Sequence, residues 1–197
     1  MAHSRLTSYL LGFTILLPVA GCGARQPVAG TAPVGPTAPR ILPLARVIVL
    51  ETSGPPPSDT SVTFTAGTPR TIVLSHGPPE NIEFASVVFT ARAFVDSGQA
   101  VTVDIKSRPG VYGLDLATTL PFRSGEASLV FDYARYFSAP ARALQVYHSN
   151  VGFERVLAVG RVLPDNQIEL LPSTHPEPDD IEAALPVAGS YLVAAPQ

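Results

Sequence analysis

Apolar and polar residues alternate in many short segments from about residue 44 onward. In the segment 100–105, Val101, Val103 and Ile105 share one face, while Thr102 and Asp104 share the other. A period of two predicts a strand with one buried face. The same alternation predicts strands at 61–65, 71–75, 127–133, 144–148, 153–162, 167–171 and 190–194. The apolar run 46–51 predicts a strand buried on both faces. Residues 44–197 are therefore predicted to form one all-β domain, an antiparallel β-sandwich.

The stretch 82–95 changes its alternation partway along. Ile82 and Phe84 share one parity, whereas Val87 and Phe89 share the other. A bulge or turn near residues 85–86 would bring both sets to one face. A helix is the competing interpretation, but the β-branched and aromatic residues at 87–90 favour a strand.

The first 21 residues have the organisation of an export signal. A short polar region carries Arg5, and residues 9–20 are almost wholly apolar. About a dozen apolar residues fit the core of a signal peptide and fall short of the roughly 20 that span a membrane. The segment ends with Val19, Ala20 and Gly21, followed by Cys22, which is the sole cysteine of the chain.

This ending resembles the lipobox of bacterial lipoproteins, in which an aliphatic residue and two small residues precede an obligatory cysteine. The resemblance covers residues 1–22, with Val19 where leucine is more usual. It implies that the Cys22 thiol receives a diacylglyceryl group and that the signal is cut before it. Gly23 follows in place of the aspartate that often retains lipoproteins in the inner membrane, so the resemblance implies the outer membrane. An ordinary secretory signal or an uncleaved anchor is the alternative.

Residues 22–43 are predicted to be a disordered tether behind the lipidated Cys22. They are rich in Ala, Gly, Pro and Thr, with almost no large apolar residue before Ile41. Such a composition buries too little surface to offset the loss of chain entropy. Its prolines favour extended polyproline II segments, which would hold the domain away from the lipid.

Composition and charge exclude some classes of protein. The formal net charge is −3, and the 13 Lys and Arg residues are scattered, so the basic stripe of a nucleic-acid-binding protein is missing. A single cysteine forms no internal disulfide and no Cys-based zinc site. The 21 prolines disfavour long helices.

The order of segments from about residue 61 resembles the ZU5-like β-sandwich domains of bacterial envelope proteins. The match follows residues 111–115, Pro121-Phe122, and the strand 128–133, and it closes with 144–147 and 189–192. The turn at 78–81 lacks the glycine and alanine of those domains, and Phe153 stands where tryptophan is common. The resemblance implies a sandwich fold and brings no catalytic residues. An immunoglobulin-like sandwich is the main alternative.

No combination of side chains predicts catalysis or a cofactor. His76, His148 and His175 lie far apart in the chain and are interpreted as surface imidazoles, with His148 at a turn. Ser124 and Ser190 lack the pattern of a hydrolase elbow. Ser75 and His76 are neighbours in a strand and should therefore point to opposite faces.

Two further segments are candidates for binding sites. The segment 175–182 holds His175 and four carboxylates, but it lacks the spacing and glycine of a calcium loop, so we interpret it as a solvated acidic excursion. Tyr133, Tyr136 and Phe137 could stack on a sugar or peptide, although packing at the core or its rim is the favoured interpretation.

The sequence thus predicts a lipid-anchored protein of the cell envelope, exported and held by Cys22. Its sandwich is expected to be a non-catalytic binding or structural module without a cofactor. An envelope protein or a polysaccharide is the expected partner besides the membrane, and nucleic acid is not. The rival prediction is an enzyme or accessory subunit that acts on envelope polymers.

Overall fold

The computed structural model describes residues 36–197, which are built mostly from short strands. The predicted signal 1–21, the lipidation site Cys22 and tether residues 23–35 lie outside the described residues. The strands are β1 Arg40–Pro43, β2 Val47–Val49, β3 Glu51–Thr52, β4 Thr60–Thr65, β5 Arg70–Ser75, β6 Glu83–Phe89, β7 Ala100–Ser107, β8 Gly113–Thr118, β9 Ala127–Asp132, β10 Phe137–Ser138, β11 Ala158–Leu163, β12 Gln167–Leu170, β13 Ser173–Thr174, β14 Asp180–Ala184 and β15 Gly189–Pro196. Two short helices, α1 Ala141–Tyr147 and α2 Asn150–Glu154, and a 3₁₀ turn at Leu44–Arg46 complete this part of the chain.

Two antiparallel sheets pack face to face, as the predicted all-β sandwich requires. The larger sheet has eight strands in the order β1-β12-β11-β15-β8-β7-β4, with β2 paired to the end of β15. The smaller sheet has five strands in the order β13-β14-β9-β6-β5, and β3 pairs with β10 separately. The predicted fold class is therefore confirmed.

One main core fills the space between the sheets. Val101, Val103 and Ile105 of β7 are fully buried, as their alternation predicted. On the smaller sheet, β9 contributes the fully buried Leu129 and Phe131. A second, smaller apolar cluster lies between β2, β11, β12 and β15; its buried members are Val47, Ala158, Ile168, Leu170, Leu192 and Ala194.

The ambiguous stretch 82–95 contains strand β6 and a bulge. Leu74 pairs with Ala85, but the next residue, Ser75, pairs with Glu83, so Phe84 is an extra residue on β6. The extra residue lets Phe84 and the set Ala85, Val87 and Phe89 all be buried despite their different parity. The strand interpretation is confirmed for residues 83–89, with the bulge one residue before the predicted position, whereas residues 90–95 lie beyond the strand.

The strand predicted at 144–148 is wrong, because this segment belongs to helix α1. The helix begins at Ala141, after Pro140, and the run Ala141-Arg142-Ala143-Leu144-Gln145 consists of strong helix formers. His148 ends it in the left-handed conformation (φ 61°), which confirms the predicted turn there. One of the segments behind the resemblance to ZU5-like domains is therefore a helix.

The strand predicted at 153–162 is wrong in its first half. The Ser149 hydroxyl caps α2 by accepting a hydrogen bond from the N–H of Gly152 (3.0 Å), and Phe153 is buried on this helix. Strand β11 begins only at Ala158. Within residues 36–197, no helix is long and apolar enough to cross a membrane.

The predicted tether extends too far toward the domain. Its last four residues form β1, which pairs in register with β12 from Arg40 opposite Leu170 to Pro43 opposite Gln167. The N–H of Leu44 continues the ladder with a hydrogen bond to the Asn166 carbonyl (2.7 Å). A strand forms there because Leu42 packs on the smaller apolar cluster.

Candidate functional site

His76 lies in the core, which contradicts its interpretation as a surface imidazole. Its side chain is 1% exposed, and Nδ1 lies 2.8 Å from the carbonyl oxygen of Pro55. The rings of Phe84, Tyr112 and Tyr136 surround it edge-on, with centroids 4.9–6.3 Å away. Nε2 is buried and has no hydrogen-bond partner among the described residues. This imidazole contributes aromatic packing and is closed to any large ligand, and Ser75 is exposed on the opposite face, as predicted.

The acidic segment 175–182 is only partly the solvated excursion that was predicted. Its second half enters strand β14, where Asp180, Ile181, Glu182 and Ala183 alternate between half-buried and buried positions. This period of two was present in the sequence and is the signal that could have identified the strand. Asp180 lies directly opposite Asp132 of β9, so two carboxylates face each other across the ladder.

This crowding changes the protonation of Asp180. Burial, and then the charges of Asp132, Glu177, Glu83 and Asp179, raise the pKa of Asp180 to about 6 from an ordinary value of 3.8. Like charges opposite one another on a sheet are destabilising when both are ionised. Asp180 therefore takes up a proton in a pH range where most carboxyl groups stay ionised.

A pocket of about 90 Å³ opens beside this cluster. It is lined by Tyr133, Val151, Glu154, Arg155, His175 and Pro178. Burial lowers the pKa of the half-buried His175, and burial together with the charge of Asp179 raises the pKa of Glu154. Burial thus acts against the charged form of each group. The volume holds a few water molecules and is too small for a sugar or a peptide.

Residues 36–197 contain no group of three or more His, Cys, Asp or Glu side chains arranged to hold a metal ion. The carboxylates around Asp180 are spread over β6, β9, β14 and the loop before β14, where they repel one another. The consequence of this arrangement is a stability that depends on pH.

A groove of about 430 Å³ lies on the outer face of the smaller sheet. Its floor runs across β6, β9 and β14, where Val88 pairs with Ser128 and Ser128 pairs with Ala184. Short side chains at these positions make the depression, and Glu126, Thr90, Thr174 and Glu182 supply polar groups around it. Thr90 donates a hydrogen bond to Glu126 (2.5 Å), which also pairs with Arg92 at 3.1 Å. The sequence did not indicate this groove, because its residues come from distant segments.

The aromatic residues considered for a stacking site pack against the core or its rim, as was favoured. Tyr133 is 3% exposed, and its ring packs on Tyr112 and Phe137. Tyr136 adopts a left-handed backbone conformation (φ 58°) and covers His76. Gly54 is required beneath it, because a Cβ there would collide with the Tyr136 ring.

Ser190 takes part in a surface network that the sequence did not indicate. Its hydroxyl donates to Asp115 (2.5 Å), and Arg108 Nε donates to the same carboxylate oxygen (2.9 Å). The network joins β8 and β15 with the segment after β7. Because the hydroxyl also accepts a hydrogen bond from Arg108 Nη2 (3.3 Å), both its donor and an acceptor position are engaged, and this serine serves as a structural link.

Comparison of the chain with models of known protein families, with curated proteins and with solved structures found no match.

Proposed function

We propose that this chain is a lipid-anchored protein of the cell envelope that presents a non-catalytic β-sandwich as a binding or structural module. The lipid is carried by Cys22 after removal of residues 1–21. The observation that carries the proposal is the sequence Val19-Ala20-Gly21-Cys22 at the end of an apolar signal, with the chain's sole cysteine at the required position. A diacylated or triacylated cysteine gives stable attachment, whereas one acyl chain gives marginal binding.

The fold supports a module that works without disulfides. The sandwich contains no cysteine, and its main core is a single cluster of buried side chains that reaches from β2 to β15. Burial can therefore stabilise the domain in an oxidising or a reducing compartment. Residues 23–39 separate the lipid site from β1, so the anchor connects at an edge of the larger sheet.

The anchor is tested by fractionating a two-membrane bacterium that expresses the full chain. The wild-type protein should sediment with the outer membrane, and Cys22→Ser should prevent lipid attachment and leave the signal uncleaved by the lipoprotein peptidase. Gly23→Asp keeps the cysteine and should shift the protein toward the inner membrane. Metabolic labelling with an alkyne fatty acid reports the acyl chain directly.

The anchor proposal fails if wild type and Cys22→Ser incorporate the same amount of fatty acid. Equal distribution of wild type and Gly23→Asp between the two membranes would remove the outer-membrane assignment alone. The two variants thus separate the chemistry of the anchor from its destination.

We also propose the groove on the smaller sheet as the place where an envelope protein or polysaccharide binds. Its hydroxyls and carboxylates offer hydrogen bonds around a floor of short side chains. A photo-reactive residue at Ser128 should capture a partner in intact cells, and the same residue at Asp96, an exposed loop position, is the control. Identical capture at both positions would reject the groove.

A further inference from the structure

The larger sheet ends in an edge strand that is paired on one side only within residues 36–197. This strand is β4, Thr60–Thr65, which pairs with β7 on one side and has no paired strand on the other. Its sequence Thr-Ser-Val-Thr-Phe-Thr contains no charge, no proline and no glycine. Proteins usually protect such edges with charges, prolines or bulges, because free edges pair with other chains.

The hydrogen bonds of β7 show which backbone groups of β4 point outward. Thr102 faces Thr63, but the N–H of Thr102 bonds the Thr119 hydroxyl (2.9 Å) and its carbonyl accepts from the Thr119 N–H (3.0 Å). Both groups of Thr102 thus point away from β4. In an antiparallel pair, residues opposite each other either exchange both bonds or exchange none. Thr63 therefore directs its own N–H and carbonyl to the free edge.

The period of two extends this result along the strand. Ala66 exchanges hydrogen bonds on the β7 side, with the Gln99 carbonyl (2.8 Å) and the Gly98 N–H (2.7 Å), so even-numbered residues face β7. Ser61, Thr63 and Thr65 thus each point one donor and one acceptor outward. The Thr65 carbonyl accepts in addition a long bond from the N–H of Thr68 (3.4 Å). The backbone of another extended strand has the donors and acceptors that match these outward-facing N–H and carbonyl groups.

A second copy of β4 matches these outward-facing backbone groups better than an arbitrary strand does. Opposite residues of an antiparallel pair lie on the same face, so a two-fold axis passes beside a residue, and Val62 and Thr63 are the two residues nearest the middle of β4. The Thr63 register places residue 61 opposite residue 65 and pairs all three outward-facing residues with one another. It also sets Val62 against Phe64, an aromatic–β-branched pair, and it opposes no like charges. The Val62 register would pair Thr65 with Asp59, outside the strand.

The other exposed edge at this side of the sandwich is less suited to pairing. Strand β5 begins with Arg70, and the bulge at Phe84 interrupts its ladder with β6. A cation and a bulge are both devices that discourage edge-to-edge contact.

We propose that β4 pairs antiparallel with β4 of a second copy about a two-fold axis beside Thr63, so that the larger sheets of two protomers become continuous. This self-association does not depend on the lipid anchor, since it uses only backbone groups and side chains of the described domain.

The test uses two pairs of substitutions that share one change. Ser61 and Thr65 are exposed, so charged residues there leave the core untouched. In the proposed register, S61K/T65K places lysine opposite lysine twice, whereas S61K/T65E places lysine opposite glutamate twice. Both variants carry the same Ser61→Lys change beside Asp104, the neighbour of that position on β7, so they differ only at residue 65.

The full chain is purified in mild detergent, and its molar mass is measured by light scattering with the detergent contribution subtracted. Wild type and S61K/T65E should have the mass of two protomers, and S61K/T65K the mass of one. Equal thermal unfolding of the two variants at high dilution shows that both are folded. Wild type at the mass of one protomer at every concentration, or equal masses for the two variants, would overturn the proposal.

Discussion

The two edges of the larger sheet are built in opposite ways. The Leu44 N–H donates a hydrogen bond to the Asn166 carbonyl, so the backbone groups of Leu44 point toward β12. Because these groups alternate along an antiparallel strand, those of Ile41 and Pro43 point to the outside of β1. Proline has no N–H, which leaves Ile41 as the single outward donor of β1. Strand β4 has three, at Ser61, Thr63 and Thr65. Strand β1 thus offers one donor and two acceptors to the outside, whereas β4 offers three donors and three acceptors.

The contrast shows that an open edge can be firmly attached to the fold. Phe64 of β4 contacts Phe89 and Phe94, with ring centroids 6.0 and 5.9 Å away, so it joins the main core across the sandwich. Ile41 of β1 leaves 58% of its surface exposed. The side chain of Phe64, on the strand with more outward donors, is thus better packed than that of Ile41, on the strand with fewer. The unpaired backbone groups of β4 therefore belong to a strand that is anchored in the core.

The largest expected effect is the loss of this packing. Phe64→Ala removes an aromatic ring that is partly buried against Phe89 and Phe94, so it should lower the free energy of unfolding by about 2 kcal/mol, less than the 3–5 kcal/mol of a fully buried phenylalanine. Ile41→Ala should change the same quantity by less than about 0.5 kcal/mol. Urea denaturation of both variants measures the difference. Equal values would show that β1 and β4 are equally attached.

The strands that form this contrast were predictable from the sequence where packing follows a period of two. Residues 61–65 and 100–105 alternate, and they became β4 and β7. Helix α1 was not predicted because Leu144, Val146 and His148 also fit the alternating pattern of a strand. The strong helix formers before Leu144 favour the helix more than this short alternation favours a strand. Strand β1 was hidden by the Pro-rich composition around it, since a four-residue strand depends on its partner β12.

The candidate sites were less predictable than the strands. The burial of His76 depends on a hydrogen bond with the carbonyl of Pro55 and on the ring of Tyr136, which packs over the imidazole. Pro55 and Tyr136 are far apart in the chain. The crowding at Asp180 needs the register that places Asp132 opposite it. The free row on β4 follows from hydrogen bonds between β7 and Thr119. Each depends on loop contacts or strand register between segments far apart in the chain, which no local pattern of residues specifies.

A smaller effect is expected at the charged side of the smaller sheet, where β14 lies beside the edge strand β13. The pKa of Asp180 is raised to about 6 in the folded chain, so the folded state holds this proton more tightly than the unfolded state. The resulting stability is present below pH 3.8 and is lost as the pH rises to about 6.

Asp180→Asn removes the ionised form and should therefore raise the free energy of unfolding at pH 8 by roughly 1 kcal/mol, after allowance for solvent screening of a half-exposed group. At pH 4 the gain should nearly vanish. Asp96→Asn, at an exposed loop position, is the control, and urea denaturation at the two pH values gives the numbers. A gain that is the same at both pH values would exclude repulsion as its cause. The mass in detergent should not change, because β4 lies in the other sheet.

The smallest effect on stability is expected from a change that makes β4 resemble β1. Thr63→Pro removes one outward donor and no backbone hydrogen bond to β7, and edge strands tolerate proline at such a position. It also removes the exposed side-chain hydrogen bond between Thr63 and Thr102 of β7 (2.8 Å). The free energy of unfolding should change by less than about 1 kcal/mol. Self-association should nevertheless be lost, as light scattering would show. A Thr63→Pro variant that unfolds would indicate that the Thr63 N–H is bonded within the protomer.

Cysteine crosslinking in the intact envelope tests the difference between the two edges most directly. In the proposed pair, Thr63 faces Thr63 of the second copy at about 5.5 Å between Cα atoms, within the range of a disulfide. Copper phenanthroline should link Thr63→Cys into a dimer on a non-reducing gel. Ile41→Cys, at the outward position of β1, and the wild-type chain with Cys22 alone should stay monomeric. A Thr63→Cys chain that stays monomeric, or links no more than Ile41→Cys, would contradict the account.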